Sequence, residues 1–385
     1  MSATAQQTKY AQDGVDVIEG DSFSRFAGTL CRETYKNSPY VEVRDFSRGH
    51  FRGPRAFKLT GLPSDCWMDL APDGAGTKPV LVDTAGDYDN AAYGPVAMTR
   101  GDISRWGGKS LVFVNNLDTD TIGKAGQPVN IAFRRMIVGL QKVCNENRLV
   151  MFKGETAELP GCVSSPNPNA LAKYLWSAVM FGVYCERTII TGDQVRPGMA
   201  VMTLRELGFR DNGISSGRKS LAMRFGSNYY TNPKAQAAIK RAAQHSVLYD
   251  EFLETANGWY NNCVPLIPMY LIVHATGGAL KGKFAEDILF PRGLSAKLDN
   301  LWNPPRIMRE CAKWRGMDDE ECYETWNGGQ GVLTVIDECN VKPFTDLAAR
   351  FGIQAKRAGK IIKKRKPTVV ILSKFTGKKI TWHAK

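Results

Sequence analysis

The chain of 385 residues predicts an α/β protein, in the layered α+β sense, built as two domains. Three observations carry that expectation. The length exceeds what one compact domain usually holds. Hydrophobic residues make up 43% and charged residues 23%, which suits a globular protein with a real core. From about residue 1 to 185, short β-branched runs alternate with helical patterns, as they do where helices cover a sheet.

Taken in order, LVFVNNL (111–117) reads as a buried strand, NIAFRRMIVGLQKVCNEN (130–147) as an amphipathic helix and RLVMFKG (148–154) as the next strand. YLWSAVMFGVY (174–184) reads as a further strand in the core. TGDQVRPGMAV (191–201) is rich in turn residues and leads into a short apolar run, which places the domain boundary there. The domains are then 1–190 and 191–385, the second ending in a basic tail from 350 to 385. Its elements read as a helix near 233–256, a Gly-rich turn at 274–280 and a strand at 331–337. A helix at 342–351 follows, then strands near 359–362 and 368–373.

Composition narrows the class. No run approaches the roughly 18 apolar residues that mark a membrane span, and MSATAQQTKYAQDG has no apolar stretch of the secretory kind. A cytoplasmic location and no membrane partner are the expectation. The nine cysteines are odd in number and lack the C-x-x-C spacing of a zinc knuckle, so they read as reduced thiols. The net charge of +13 is local: all 38 acidic residues lie at or before Asp346, and twelve basic residues follow it. Taking those twelve from 51 leaves 39 basic against 38 acidic residues in the body. The run KKRKP precedes TVVILSKF, a strand pattern, and reads as a solvated turn between strands. Nucleic acid is not the expected partner, although this tail is where phosphates could be engaged.

Several short motifs carry chemistry. DGAGTK pairs Asp73 and Lys78 with Gly74, Gly76 and Thr77, so the backbone can approach phosphates beside a hard oxygen and a point charge; it also reads as a Gly-rich turn with a solvent-facing lysine. GETAELPG places Glu155, Glu158 and Thr156 after Gly154 at a strand end. That set suits magnesium shared with phosphate oxygens, or a plain surface turn. In MTRGDISRWGG, Asp102 reads as a capping residue or as a third metal carboxylate. FRDNG, containing Arg210, Asn212 and Gly213, is a polar turn facing ligand or water. HATGGA sets His274 and Thr276 before Gly277 and Gly278, an arrangement for an anion or for a hydrogen-bonded core histidine. WNGGQG adds a turn in which Asn327 can support a left-handed conformation.

The order of YAQDGVD, DGAGTK, VAMTRGD, GETAELPG, DNG, HATGGA, WNPPRIM and ETWNGGQG resembles that of the aminoimidazole ribonucleotide synthetases, from about Tyr10 to the last strand. GETAELPG is the most specific of these pieces. The resemblance implies an N-terminal sheet that pairs with a second subunit in a dimeric β-barrel, and a C-terminal α/β domain completing an ATP cleft. It implies ATP and Mg²⁺ as cofactors, a nucleotide substrate and a homodimer. The reaction would be closure of the imidazole ring of aminoimidazole ribonucleotide from formylglycinamidine ribonucleotide.

By position, Asp73, Asp102 and Glu155 would hold the metal. Asp16, Gly74, Gly76, Thr77, Lys78, Gly154 and Thr156 would surround the nucleotide. Asn212, Gly213, Thr276, Gly277, Gly278 and Asn327 would line the substrate half, with Lys78, Asn212, Arg210 and His274 as the catalytic set. The chain departs from the family at Gly101, where Asn is usual, and at Phe209–Asp211, where a histidine is common. An extra segment, LKGKFAE, follows HATGGA, and 40–70 has no counterpart. Two other readings stand beside this one: a related ATP-dependent enzyme acting on another amide or acid, and a non-catalytic scaffold that binds an acidic partner through the tail.

Overall fold

The computed structural model describes residues 17–47 and 53–385, so Asp16 lies outside the described residues. By contact density the chain falls into two compact units. The first holds the described residues up to Leu62 together with 72–96 and 111–181. The second holds 63–71, 97–110 and 182–385.

In the first unit, helix α1 (Val17–Thr34) packs against strand β5 (Val150–Glu158). The Met151 N–H donates to Thr34 Oγ1 at 2.9 Å, which ties the end of the helix to the start of the strand. β1 (Val41–Asp45) and β2 (Arg55–Leu59) pair antiparallel within the 40–70 region that has no counterpart in the family pattern. The pair is anchored by Phe57, whose ring meets Phe152 at 5.2 Å and Phe181 at 5.4 Å, both edge-on.

A mixed sheet has the order β3-β6-β4-β5, from β3 (Cys66–Gly74), β4 (Lys109–Thr119), β5 and β6 (Tyr174–Cys185). Short helices α2 (Pro79–Ala85) and α3 (Tyr93–Ser104) lie between β3 and β4. β4 and β5 run parallel, so their connection must cross over. Helix α4 (Pro128–Glu146) makes that crossover, with Pro128 in its first turn and Phe133, Met136, Ile137, Leu140 and Cys144 buried at helical spacing. Arg148, at φ 53°, turns the chain from α4 into β5. The single chain leaves this sheet open rather than closed into a barrel.

The second unit is built on a seven-stranded sheet of order β13-β12-β9-β11-β7-β10-β8. Its strands are β7 (Ala200–Arg205), β8 (Met269–His274), β9 (Ser295–Leu298), β10 (Gln330–Ile336), β11 (Ala355–Ile362), β12 (Thr368–Leu372) and β13 (Lys379–His383). All pairs are antiparallel except β9–β12. Its helices are α5 (Ile214–Phe225), α6 (Gln236–Ala242), α7 (Asp250–Ala256), α8 (Arg306–Arg315), α9 (Asp319–Thr325) and α10 (Val341–Arg350). One buried cluster gathers Val201, Leu271, Phe284, Leu298, Ile371 and Trp382. A second gathers Met202, Phe252, Ile272, Val332 and Phe344 under α7 and α10.

Two local outcomes differ from the sequence reading. The helix expected over 233–256 is interrupted at 243–249, because that stretch serves tertiary bonds. There the Val247 carbonyl accepts from Arg210 at 2.7 Å and the Tyr249 hydroxyl donates to the Arg205 carbonyl at 2.7 Å. The inserted LKGKFAE segment winds into a π-helix spanning Ala279–Leu289, the form that an insertion takes when a helix absorbs extra residues.

Candidate active site

DGAGTK closes β3 and opens α2. The Ala75 N–H donates to the Trp176 carbonyl at 2.9 Å, and a Cβ on Gly74 would fall 2.6 Å from that same oxygen, so only glycine fits there. Gly76 stands at φ 54° and is exposed with Thr77. Lys78 is buried, 3% exposed, which removes the solvent-facing alternative for it.

GETAELPG does not begin a turn after Gly154, as its composition suggested. β5 continues through it because the parallel ladder runs on from Asn115↔Gly154 and Asn116↔Glu155 to Thr119↔Glu158. Glu158 is used structurally: its Oε1 accepts from the Ile122 N–H at 2.7 Å and from Thr121 Oγ1 at 3.2 Å.

Asp73 and Glu155 line one cleft on the sheet, with Asn115, Asn116, Lys153 and Ser177. Glu155 also lines a neighbouring cavity of about 470 Å³ with Gly154, Thr156, Lys153 and Asn115. Asn115 is outside the residues that the motifs single out, and its signal in the sequence is the pair of asparagines inside the apolar run LVFVNNL. Its Oδ1 accepts from Trp176 Nε1 at 3.0 Å, and its buried Nδ2 has no hydrogen-bond partner. An orphaned buried donor costs free energy unless a ligand oxygen completes it.

The three carboxylates expected to hold a metal fall in different places. Asp73 and Glu155 share a cleft, whereas Asp102 belongs to the second unit and lies inside α3 rather than capping a turn. It bonds Arg105 at 3.5 Å, one helical turn on. Among the described residues no three His, Cys, Asp or Glu side chains are spaced to hold a metal ion by themselves. Two carboxylates with phosphate oxygens making up the coordination are a set that suits magnesium.

In the second unit, the residues assigned to substrate form a knot of loops. Asn212 Oδ1 accepts from the Gly277 N–H at 2.8 Å. Gly213 at φ 66° precedes α5, and Gly278 at φ 70° precedes the π-helix. Thr276 Oγ1 accepts from Lys283 Nζ at 2.7 Å. Asn327 is buried and spends its amide on backbone: Nδ2 donates to the Gly208 carbonyl at 3.0 Å and Oδ1 accepts from the Gly329 N–H at 2.8 Å. It therefore shapes the loops from behind. Arg210 is fully buried; its Nε donates to His274 Nε2 at 2.6 Å and its Nη1 contacts Glu206 Oε2 at 3.3 Å. Burial and the Arg210 charge hold the His274 pKa well below its ordinary value.

Comparison with solved structures defines the class of the fold. The chain is similar to a hydrogenase maturation protein HypE determined in complex with ATP, with a TM-score of 0.58 and 14% identity over 94% of each chain. It is also similar to a thiamine-monophosphate kinase from Stenotrophomonas maltophilia, with a TM-score of 0.56 and 12% identity over 88% of this chain and 94% of the other. The fold is the mixed α/β fold of these proteins. No family model matches the chain. In sequence it is 27% identical over 371 residues to a phosphoribosylformylglycinamidine cyclo-ligase of Desulfotalea psychrophila, covering 94% of this chain and 96% of that one. A cyclo-ligase of Polaromonas sp. is 25% identical over 375 residues, covering 96% and 99%. The chain is thus similar, along nearly its whole length, to proteins named phosphoribosylformylglycinamidine cyclo-ligase.

Proposed function

We propose that this chain is an ATP-dependent cyclo-ligase of purine biosynthesis. It would use ATP to activate the formyl oxygen of formylglycinamidine ribonucleotide, after which an amidine nitrogen closes the imidazole ring. Products are aminoimidazole ribonucleotide, ADP and phosphate. The observation that carries this reading is the kinship with cyclo-ligases over nearly the whole length of both chains.

The cleft supports it chemically. Phosphoryl transfer needs charge neutralisation and positioning more than covalent help. Asp73 and Glu155 would hold Mg²⁺, which when bound neutralises the triphosphate, and Asp102 is proposed as a third carboxylate. Thr77 and Lys78 would contact phosphate oxygens, Gly74, Gly76, Gly154 and Thr156 would let the nucleotide approach, and Asp16 would belong to a segment closing over it. The unpaired Asn115 Nδ2 adds a donor to this set. Asn212, Gly213, Thr276, Gly277 and Gly278 would receive the second substrate.

A homodimer is part of the proposal. β6 exposes Leu175 at 52%, and edge strand β3 exposes Trp67, Met68 and Leu70 at 61–67%. Apolar side chains of this size in open sheet positions are what a partner subunit would cover. A cytoplasmic setting fits the reaction.

The test is to incubate the purified chain with Mg–ATP and formylglycinamidine ribonucleotide and follow ADP and aminoimidazole ribonucleotide together. Coupled formation of both supports the cyclo-ligase. ADP without the imidazole product moves the assignment to a related ATP-using enzyme with another acceptor. Neither product from folded protein refutes an enzyme of this kind.

A further inference from the structure

Helix α3 carries Gly101 in its interior, where glycine is less favourable than alanine. The position has a use for the missing side chain. A Cβ on Gly101 would fall 2.2 Å from His274 Nδ1 and 2.3 Å from Cε1, so the imidazole occupies the space that any other residue would fill.

The opposite edge of the same ring is held by Arg210. A guanidinium is charged at every accessible pH and only donates, so the contact from Arg210 Nε to His274 Nε2 requires a lone pair on Nε2. The imidazole proton must then reside on Nδ1. The cations acting on the ring are Arg210 from its loop, Lys283 from the π-helix and Arg105 just past the end of α3, and all three oppose a second proton. Glu206 does not offset them, because its carboxylate contacts Arg210 Nη1 at 3.3 Å and is spent on that guanidinium.

Arg210 itself is over-determined. It stands at φ 57° and Asp211 at φ 44°, a left-handed pair that non-glycine residues adopt at a cost. Its guanidinium also donates to the carbonyls of Val247 at 2.7 Å and Ala97 at 3.3 Å, and it lies 5.0 Å from the centre of the Tyr249 ring. Two residues on, Asn212 bonds the Gly277 N–H. The loop at 210–213 therefore staples the loop at 274–278 at two points.

We propose that Arg210 is a positioning residue that locks His274 as a neutral imidazole protonated on Nδ1, and that Gly101 provides the space this lock requires. His274 is then neither a general base nor a metal ligand through Nε2. Its task is to hold the Thr276–Gly278 turn in register with Asn212. The effect on turnover rests on the cyclo-ligase reading; the protonation state does not.

The test uses the full chain with 15N-labelled histidine, reading two-bond nitrogen–proton correlations of His274 assigned by the loss of its signals in His274→Gln. The expected result is an Nδ1–H tautomer with no protonation step between pH 8 and about 5.5, the range in which an ordinary histidine titrates. An Nε2–H tautomer, or a midpoint near 6.5, overturns the lock. Arg210→Lys should let the tautomer preference relax. It should also lower kcat on the order of a hundredfold while the KM for ATP stays unchanged, as a displaced loop would do. Gly101→Ala should lower turnover in the wild-type background and have no further effect once His274 is alanine. Equal effects of Gly101→Ala in both backgrounds refute the spatial coupling. Should the wild type prove inactive, the cyclo-ligase reading falls, and the spectrum alone upholds or overturns the lock.

Discussion

Trp176 on β6 donates its indole N–H to Asn115 Oδ1 on β4 at 3.0 Å, and because an indole can only donate, this bond orients the amide. The Nδ2 group is thereby turned toward Gly154, where a Cβ would lie 2.9 Å from it. An unmatched buried donor in an apolar strand carries a free-energy cost, which a ligand oxygen at that donor would offset.

Gly154→Ala should therefore act on nucleotide binding and leave the fold intact. The added methyl pushes against Asn115 Nδ2 and narrows the gap between Asn115 and Glu155. ATP affinity, measured by calorimetric titration, should fall at least about tenfold, roughly 1.4 kcal/mol, with an unchanged far-ultraviolet spectrum. Wild-type affinity in this variant would remove the ligand assignment of Asn115.

Asp73→Asn and Glu155→Gln keep size while deleting charge from the shared cleft. Each should lower ATP turnover on the order of a hundredfold or more, the scale on which fixed electrostatic partners of a transition state act. The variants should also need more magnesium for half-maximal rate. ADP release at a series of magnesium concentrations reads both effects. Full turnover in either variant would contradict the metal assignment of that residue.

Much of this site was legible in the sequence because its residues cluster in short segments with glycine punctuation. DGAGTK and GETAELPG carry acids, hydroxyls and glycines within a few residues of one another, and the strand–helix–strand order of 109–158 follows from periodicity. What could not be read depends on contacts between distant segments. Asn115 becomes notable only once Trp176 fixes it, 61 residues away. Gly101 and Arg210 looked like two unrelated departures from the family pattern, yet both touch the His274 ring. Asn327 carried the right residue type for a ligand contact, and its burial behind the turn was decided by the Gly208 and Gly329 backbone. The hairpin at 41–59 was equally hidden, since its anchor is the remote pair Phe152 and Phe181.

The second unit contains a buried charge cluster whose loss should be costly. Glu254 has no exposed side chain and accepts from Arg100 Nη2 at 2.8 Å, Lys109 Nζ at 2.6 Å and the Ser110 N–H at 3.0 Å. Glu254→Ala leaves two cations buried with too little compensation. The expected destabilisation is about 3–5 kcal/mol, read from the urea midpoint of the full chain. A midpoint within experimental error of wild type would mean that solvent reaches Arg100 and Lys109.

His274 gives the chain a defined response to acid. Its folded-state pKa lies well below the ordinary value while the unfolded chain restores about 6.5, so the unfolded state binds more protons as pH falls through that value. Stability from this group is fully present above about pH 6.5 and declines below it, by at most about 1.4 kcal/mol per pH unit for one proton. Urea unfolding of wild type and His274→Gln between pH 7.5 and 5 isolates the contribution, since other groups titrate alike in both proteins. The wild-type curve should fall more steeply than the variant below pH 6.5, with the gap widening toward pH 5. Parallel curves would show that His274 takes up a proton in the folded chain as readily as in the unfolded one, which the Arg210 contact at 2.6 Å does not permit.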